Sequence, residues 1–511
     1  MPIDDRNEGR SEANSESAPL NQVKNPPIGV KWRSSTWYIT LVVAAGTTTD
    51  ALTYNIVVPV LPYRLEALGY SNISSLTSWL FFSYSMGIFL ATFPVAYFFH
   101  KYPYRRVPLI VGVLLLEVSL VLFMAIRPYW VMVVTRFMQG ACSTVVWTVG
   151  FALICENVEE KNMGRQIGFA VSGVSIGTTI APPIGGALYQ HLGWYSPFIF
   201  CIIVLFFDLV GRILVIEQKD LPLYGIERGA PTINEISQRE PDSDPQASPA
   251  KDLIPLGPIS GAATTSATAS NIHEEKSPPS KALSPWGVLK VLAKQPRGVT
   301  GICVSFAIGI LLGALDPTLT LRIETVWNKD SAFVGLVYLA ATAPTFICAP
   351  ITGHLADKYG SQWVMAPCLF FVLPWLPLLL LTNSLAGFIV YFAIANTMGS
   401  CAFGPVGLEL AMAARGAEGI SEIHQFAAMN LAFSISTAIG SIVAGQMYDH
   451  LKYGWGATMW FCFGFTAVSS IVPFCLGGSP TLLQIVLRRH RANKIKEDRV
   501  PAEGSVATEH A

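Results

Sequence analysis

The chain alternates between long apolar runs and short polar breaks. Twelve apolar runs can be read, at about 37–60, 76–99, 107–126, 130–154, 167–188, 195–216, 299–319, 333–353, 363–382, 386–410, 424–447 and 457–477. As a helix rising about 1.5 Å per residue, a run of about 20 residues spans a hydrocarbon layer about 30 Å thick. Three stretches interrupt the pattern: 1–36, 217–297 and 479–511 are polar. The middle one is rich in Pro, Ser, Thr, Ala and charge, and its 262–270 portion holds only Ala, Thr and Ser. Such a composition cannot bury a core. The pattern predicts an all-α membrane protein of twelve transmembrane helices in two six-helix bundles. The expected divisions are a disordered tail at 1–36, a bundle at 37–216, a disordered loop at 217–297, a bundle at 298–478 and a tail at 479–511.

Composition sharpens this picture. Charged residues make up 13% of the 511 positions and hydrophobic ones 51%, against about 25% charged in a soluble domain. Mean hydropathy is +0.45. Basic and acidic residues balance at 34 each, so no basic excess exists to hold nucleic acid. The nine cysteines lie in or beside apolar runs without a CxxC, as small apolar packers do. Histidines are scattered without metal-ligand spacing, and no Walker A stretch is present to use ATP directly. No metal or cofactor is expected. Lys101, Arg105, Arg106, Lys161, Arg165, Lys358 and Arg415 fall in alternate loops. The bias of Lys and Arg toward the cytoplasm then places both termini inside. Asn72-Ile-Ser74 falls in the first outer loop as an N-glycosylation acceptor.

Charges inside the spans are costly and therefore informative. They are Asp50, Glu117, Arg136, Asp208, Arg212 and Asp316, with Glu409 near an inner end. Asp50 stands 13 residues after Trp37, about 20 Å along a helix and near the midplane. It can bind a proton, a substrate cation or each in turn, or it can form a static ion pair with Arg136. Arg136 can transmit the protonation of a carboxylate to helix packing, or only lock spans 1 and 4 together. Asp316 precedes Pro317, which removes a backbone donor and frees a carbonyl near the site. Asp208 and Arg212 are spaced for an intrahelical pair. In span 5, Gly173, Gly177, Ala181 and Gly185 recur every four residues. They form a smooth face for close helix approach, with Pro182 and Pro183 bending the helix. Trp147, Phe151 and Tyr338 lie at midplane depth as candidate cavity residues.

The two halves echo each other. Gly353-His-Leu-Ala-Asp357-Lys358-Tyr-Gly360 follows span 8, and Ala96-Tyr-Phe-Phe-His100-Lys-Tyr-Pro103-Tyr-Arg105-Arg106 follows span 2. A six-plus-six chain of this kind fits two bundles around a midplane site. At these residues the chain resembles the major facilitator superfamily, over essentially all of 37–477. Gly353–Gly360 matches the loop signature of a half, and Arg136-x-x-Gln139-Gly140 matches the span 4 motif. Gly168, Gly177, Ala181, Pro182, Gly185 and Gly186 resemble the antiporter motif of twelve-span drug:proton exporters. Span 1 from Asp50 through Pro59 and Pro62, with Leu315-Asp316-Pro317, is similar to vesicular amine transporters. The long central loop is more like that of fungal exporters. His100, Pro103, Ser400 and Asn430 depart from the expected acidic or glycine residues.

The resemblance implies a non-enzymatic transporter working by alternating access. Its implied action is proton-coupled export of a small organic molecule: a drug, toxin or secondary metabolite. Asp50, Arg136 and Asp316 would carry the coupling. An alternative is vesicular or vacuolar loading of a cationic amine, and a remote one is a non-transporting membrane sensor. The partners expected are a small-molecule substrate, protons and the lipid bilayer, for a monomer in the cell membrane or in a vacuolar or vesicular membrane.

Overall fold

The computed structural model describes residues 27–101, 104–158, 160–224, 285–415, 422–478 and 481–486. Most of the two segments expected to be disordered, 1–26 and 225–284, lies outside the described residues, as do 487–511 of the expected tail and Pro103. Two of the polar stretches are structured at their edges. Val30–Arg33 is a short helix and Gln218–Tyr224 a 3-10 helix. The Ile216 N–H donates to the Arg33 carbonyl at 3.2 Å, and Val30, Ile216 and Leu221 are buried together. A third helix, Pro285–Leu292, buries Val288 and Leu292 within the second bundle. The segments read as 1–36 and 217–297 are thus shorter than their polarity implied, because isolated apolar residues within them find cores.

Among the described residues, those within 35–215 and 285–486 form the larger unit. Its first six helices are α1 (Thr36–Asn55), α2 (Ile73–Lys101), α3 (Arg106–Ala125), α4 (Tyr129–Asn157), α5 (Glu160–Leu192) and α6 (Tyr195–Leu214). The second six are α7 (Pro296–Trp327), α8 (Ser331–Tyr359), α9 (Gln362–Val372), α10 (Leu385–Phe403), α11 (Glu422–His450) and α12 (Gly454–Leu476). Ten of these helices contain segments long and apolar enough to cross a membrane. The other two are α1 and α9, which is continued by Trp375–Leu378 after Pro374.

The α1 helix is less apolar because it is rich in threonine, yet its hydroxyls are satisfied internally. Thr40, Thr48, Thr49 and Thr53 donate to carbonyls three or four residues back, as Ser and Thr do inside helices. The helix stops at Asn55, short of the expected residue 60, where Pro59 follows. Leu61–Ala67 then forms a separate short helix. The α10 span is likewise broken, with Val406–Arg415 resuming after Gly404 and Pro405.

Within the halves α1 packs on α5, α2 on α4 and α7 on α11; between them α2 packs on α11 and α5 on α8. Glycine permits the closest approaches. A Cβ at Gly140 would lie under 3.0 Å from the Tyr84 carbonyl, so α2 and α4 meet backbone to backbone. On α5 the glycine face divides. Gly173, Gly177 and Gly185 abut Ala44, Thr48 and Ile56 on α1 and just beyond its end. Gly186 meets Ser331, and Pro182 and Pro183 meet Gly335 of α8. The smooth face read from the spacing is therefore shared between neighbours: three of the glycines serve packing inside the first half. Spacing by four residues creates a face, but here adjacent faces meet different neighbours.

Candidate functional site

Asp50 is buried on α1, with an exposure of 4%. Its Oδ2 accepts hydrogen bonds from Ser143 Oγ at 2.7 Å and Trp147 Nε1 at 2.8 Å, both on α4. Its Oδ1 has no hydrogen-bond partner. The static pair with Arg136 does not form. The cation in electrostatic reach of Asp50 is Arg212, which itself pairs with Asp208 at 2.9 Å on α6, as its spacing implied.

Arg136 lies elsewhere because α1 and α4 run in opposite directions. Moving from Asp50 to Tyr54 along α1 corresponds to moving back from Ser143 toward Arg136 on α4. The seven-residue separation of Arg136 from Ser143 is about 10 Å along the helix. The Arg136 guanidinium sits 4.9 Å from the Phe123 ring centre and 5.9 Å from that of Phe81. One nitrogen donates to Gln139 Oε1 at 3.2 Å, while Nε and Nη2 lack hydrogen bonds. Tyr54, Tyr84 and Cys201 are in its electrostatic reach. Arg136 therefore ties α4 to aromatic residues of α2 and α3 rather than to Asp50.

Asp316, on α7, is also a buried carboxylate. Its Oδ2 accepts the Tyr54 hydroxyl at 2.7 Å. Tyr54 is one turn beyond Asp50 on α1, so a single helix reaches both acids. Helix α7 continues through Pro317; having no N–H, this proline leaves its i−4 carbonyl, that of Gly313, without the usual donor. Tyr338 of α8 is buried in electrostatic reach of Asp316, and its hydroxyl has no hydrogen-bond partner. Phe151, expected beside a cavity, is only 1% exposed and packs with Trp147 inside a core cluster. Trp147 is half-buried and its indole N–H is committed to Asp50.

Cross-half hydrogen bonds gather toward the end where α1 finishes and α8 begins. Tyr63 donates to the Lys329 carbonyl at 2.7 Å, Thr320 to the Val58 carbonyl at 3.2 Å and Ser331 to the Gly186 carbonyl at 3.1 Å. The Ser75 N–H donates to Asp449 at 2.7 Å. Deeper down, Ser85 and Thr437 share a hydroxyl contact of 3.1 Å. The halves are closed against each other here. Asn72 lies at this end, exposed with φ 58°, while Ser74 of the same triplet is buried.

The remaining motif residues differ from their expected setting. Gly353 through Tyr359 belongs to α8 and is helical rather than a tight loop. Only Gly360 turns, at φ 99°, a backbone region open to glycine. Lys358 lies 5.3 Å from the Tyr359 ring centre, and Asp357 belongs to the last helical turn. Gly168 has open space where a side chain would go. Ala181 is fully buried. Sequence reasoning missed Ser143, Tyr54 and Tyr84 as neighbours of the acids. The i+4 spacing of Tyr54 from Asp50 was a signal that they share a helix face.

Comparison with known proteins agrees with this architecture. The sequence profile described as Major Facilitator Superfamily matches residues 43–296 and 298–491. The chain belongs to this superfamily, and it is a multi-pass membrane transporter of small molecules rather than an enzyme. It is 27% identical to an uncharacterized MFS-type transporter of Schizosaccharomyces pombe, over 83% of this chain and 92% of that one. An MFS-type transporter, ppzB, of Metarhizium rileyi is 26% identical over 69% of this chain and 73% of its own length. The vesicular acetylcholine transporter of Drosophila melanogaster is 24% identical over 72% of this chain and 53% of that protein. In fold, the chain is similar to a bacterial homolog of the human lysosomal transporter Spinster, solved in an inward-facing, unoccupied conformation. The TM-score is 0.59 at 13% identity, covering 86% of this chain and 96% of that one.

Proposed function

We propose that the chain is a proton-coupled antiporter that exports a small organic molecule by alternating access. The observation that carries this reading is a pair of buried carboxylates on the first helix of each half. Asp50 is held by Ser143 and Trp147, and Asp316 by Tyr54, with no ion pair to either among the described residues. A buried carboxylate without a bonded cation favours exchange of its charge for a proton or for a donor on a substrate. Protonation from the outer side would release substrate, and deprotonation to the cytoplasm would reset the site. Each proton moved contributes about 2.3 kcal/mol per 100 mV of membrane potential. In this reading the transporter is a monomer in the cell membrane with both termini cytoplasmic, and Asn72 is available for glycosylation.

A second reading, loading of a cationic amine into a vesicle or vacuole, draws support from the vesicular acetylcholine transporters among the relatives. The indole of Trp147 beside the Asp50 carboxylate also suits a cation. The decisive experiment begins with metabolite comparison of cells with and without the chain, then follows the identified compound. Collapse of the pH gradient and potential by a protonophore, with ATP maintained, should abolish its transport. Transport that survives this collapse overturns the antiport reading. Localising the tagged chain separates export across the cell surface from organelle loading.

A further inference from the structure

Asp316 is hydrogen-bonded by one tyrosine and lies in electrostatic reach of a second, and the two tyrosines belong to different halves. Tyr54, from α1, donates to it at 2.7 Å across the interface. Tyr338, from α8 of its own half, is 8% exposed and in electrostatic reach, yet its hydroxyl is unpartnered. A buried carboxylate and a buried phenol each lose free energy when left without a hydrogen bond. The first tyrosine satisfies Asp316 only while the halves are closed at this level. The second has a hydroxyl with nothing to do in the closed arrangement.

We propose that Tyr54 and Tyr338 are positioning residues that exchange the Asp316 carboxylate between them as the halves part. With the halves closed, the Tyr54–Asp316 bond is a cross-half latch. When α1 withdraws, a rotation of the Tyr338 side chain brings its hydroxyl onto the same carboxylate. The open arrangement then never contains a bare buried acid. The consequence for transport rests on the coupling role proposed above for Asp316. An empty carrier keeps the carboxylate on Tyr54 and remains closed at this end. A proton or a substrate donor that occupies the carboxylate weakens the latch and licenses opening, so movement without cargo is suppressed.

Several neighbouring features fit this assignment. The Tyr54 ring is braced at 4.8 Å from the Tyr84 ring and 5.6 Å from that of Phe81. These aromatic contacts belong to the first half and move with it. Tyr338 is likewise set against Phe392 of its own half, with ring centres 5.8 Å apart. Each tyrosine is therefore fixed to one half, while Asp316 belongs to the second.

The test measures the opening directly. Spin labels at Ala67→Cys and Lys452→Cys, exposed positions on opposite halves, report the separation by double electron–electron resonance. The protein is full length, folded in nanodiscs, with its partly exposed native cysteines replaced. Tyr54→Phe keeps the ring and removes the latch, and the open-distance population should rise severalfold. Tyr338→Phe should shift the population the other way, toward closed. The double variant should return toward the parent distribution. An unchanged distribution in Tyr54→Phe, or a shift of the same sign in both single variants, overturns the exchange. Proteoliposomes carrying a pH-sensitive interior dye then separate this from the coupling reading. Tyr54→Phe should increase proton leak in the absence of substrate. If the distances follow the expected pattern without added leak, the exchange stands and proton coupling at Asp316 falls.

Discussion

Asp50 and Asp316 occupy the first helix of their respective halves, yet they are held in opposite ways. Both donors to Asp50 come from α4, inside its own half. The donor to Asp316 comes from α1, across the interface. A rigid-body movement of the halves leaves the surroundings of Asp50 intact and dismantles those of Asp316. The first acid is thus a fixed site carried along by its bundle. The second has an environment that depends on how the bundles meet.

The largest expected effect breaks the first side of that comparison. Asp50→Asn retains an acceptor for Ser143 and Trp147 but cannot release a proton, so proton-driven transport per folded molecule should fall to background. Abundance should be near that of the parent, because no bonded cation is left behind. A true ion pair would predict a stability loss of about 3–5 kcal/mol. Transport normalised to surface abundance checks this, and full activity in a well-expressed variant would refute the coupling role.

The next effect sharpens the comparison through α5, whose glycines serve both kinds of contact. Gly177→Val drives a branched side chain into α1 within one half, and overpacking of this kind costs about 1–3 kcal/mol. Reduced thermal stability of the purified protein is expected. Gly186→Val makes a similar collision with Ser331 across the interface. There the strain is relieved by parting the halves, so stability should be near normal while the closed end becomes accessible to a membrane-impermeant thiol reagent at an introduced cysteine. Equal loss of stability in the two variants would erase the distinction. The smallest effect is at the start of the motif: Gly168→Ala meets nothing within 4 Å and should change stability by less than about 0.5 kcal/mol. A thermal melt of the purified variant checks it.

The apolar runs made the twelve helices readable, because a run long enough to cross hydrocarbon has few other uses. Asp50 and Asp316 were readable for a related reason: burial makes an isolated charge conspicuous in a composition that otherwise avoids it. The partner of Asp50 was not readable. Arg136 and Ser143 occupy the same helix, and which of them stands level with Asp50 depends on the antiparallel register of α1 and α4. Register is set by many contacts, including the glycine approach at Gly140, and no local pattern encodes it. The glycine spacing on α5 showed a smooth face in the same way, without showing that adjacent parts of it meet different halves.

The hydrogen bond from the Ser75 N–H to Asp449 has a consequence for the start of α2. The first N–H groups of a helix have no partner within it and need an outside acceptor. Here the acceptor is a side chain of α11, so one half supplies the N-terminal cap of a helix in the other. Losing such a cap costs about 0.5–2 kcal/mol. Any motion that parts the halves at this end also uncaps α2, and its first turn becomes prone to fray. The boundary of that helix is therefore a property of the pair of bundles, and amide hydrogen exchange at Ser75 follows their separation without any label attached.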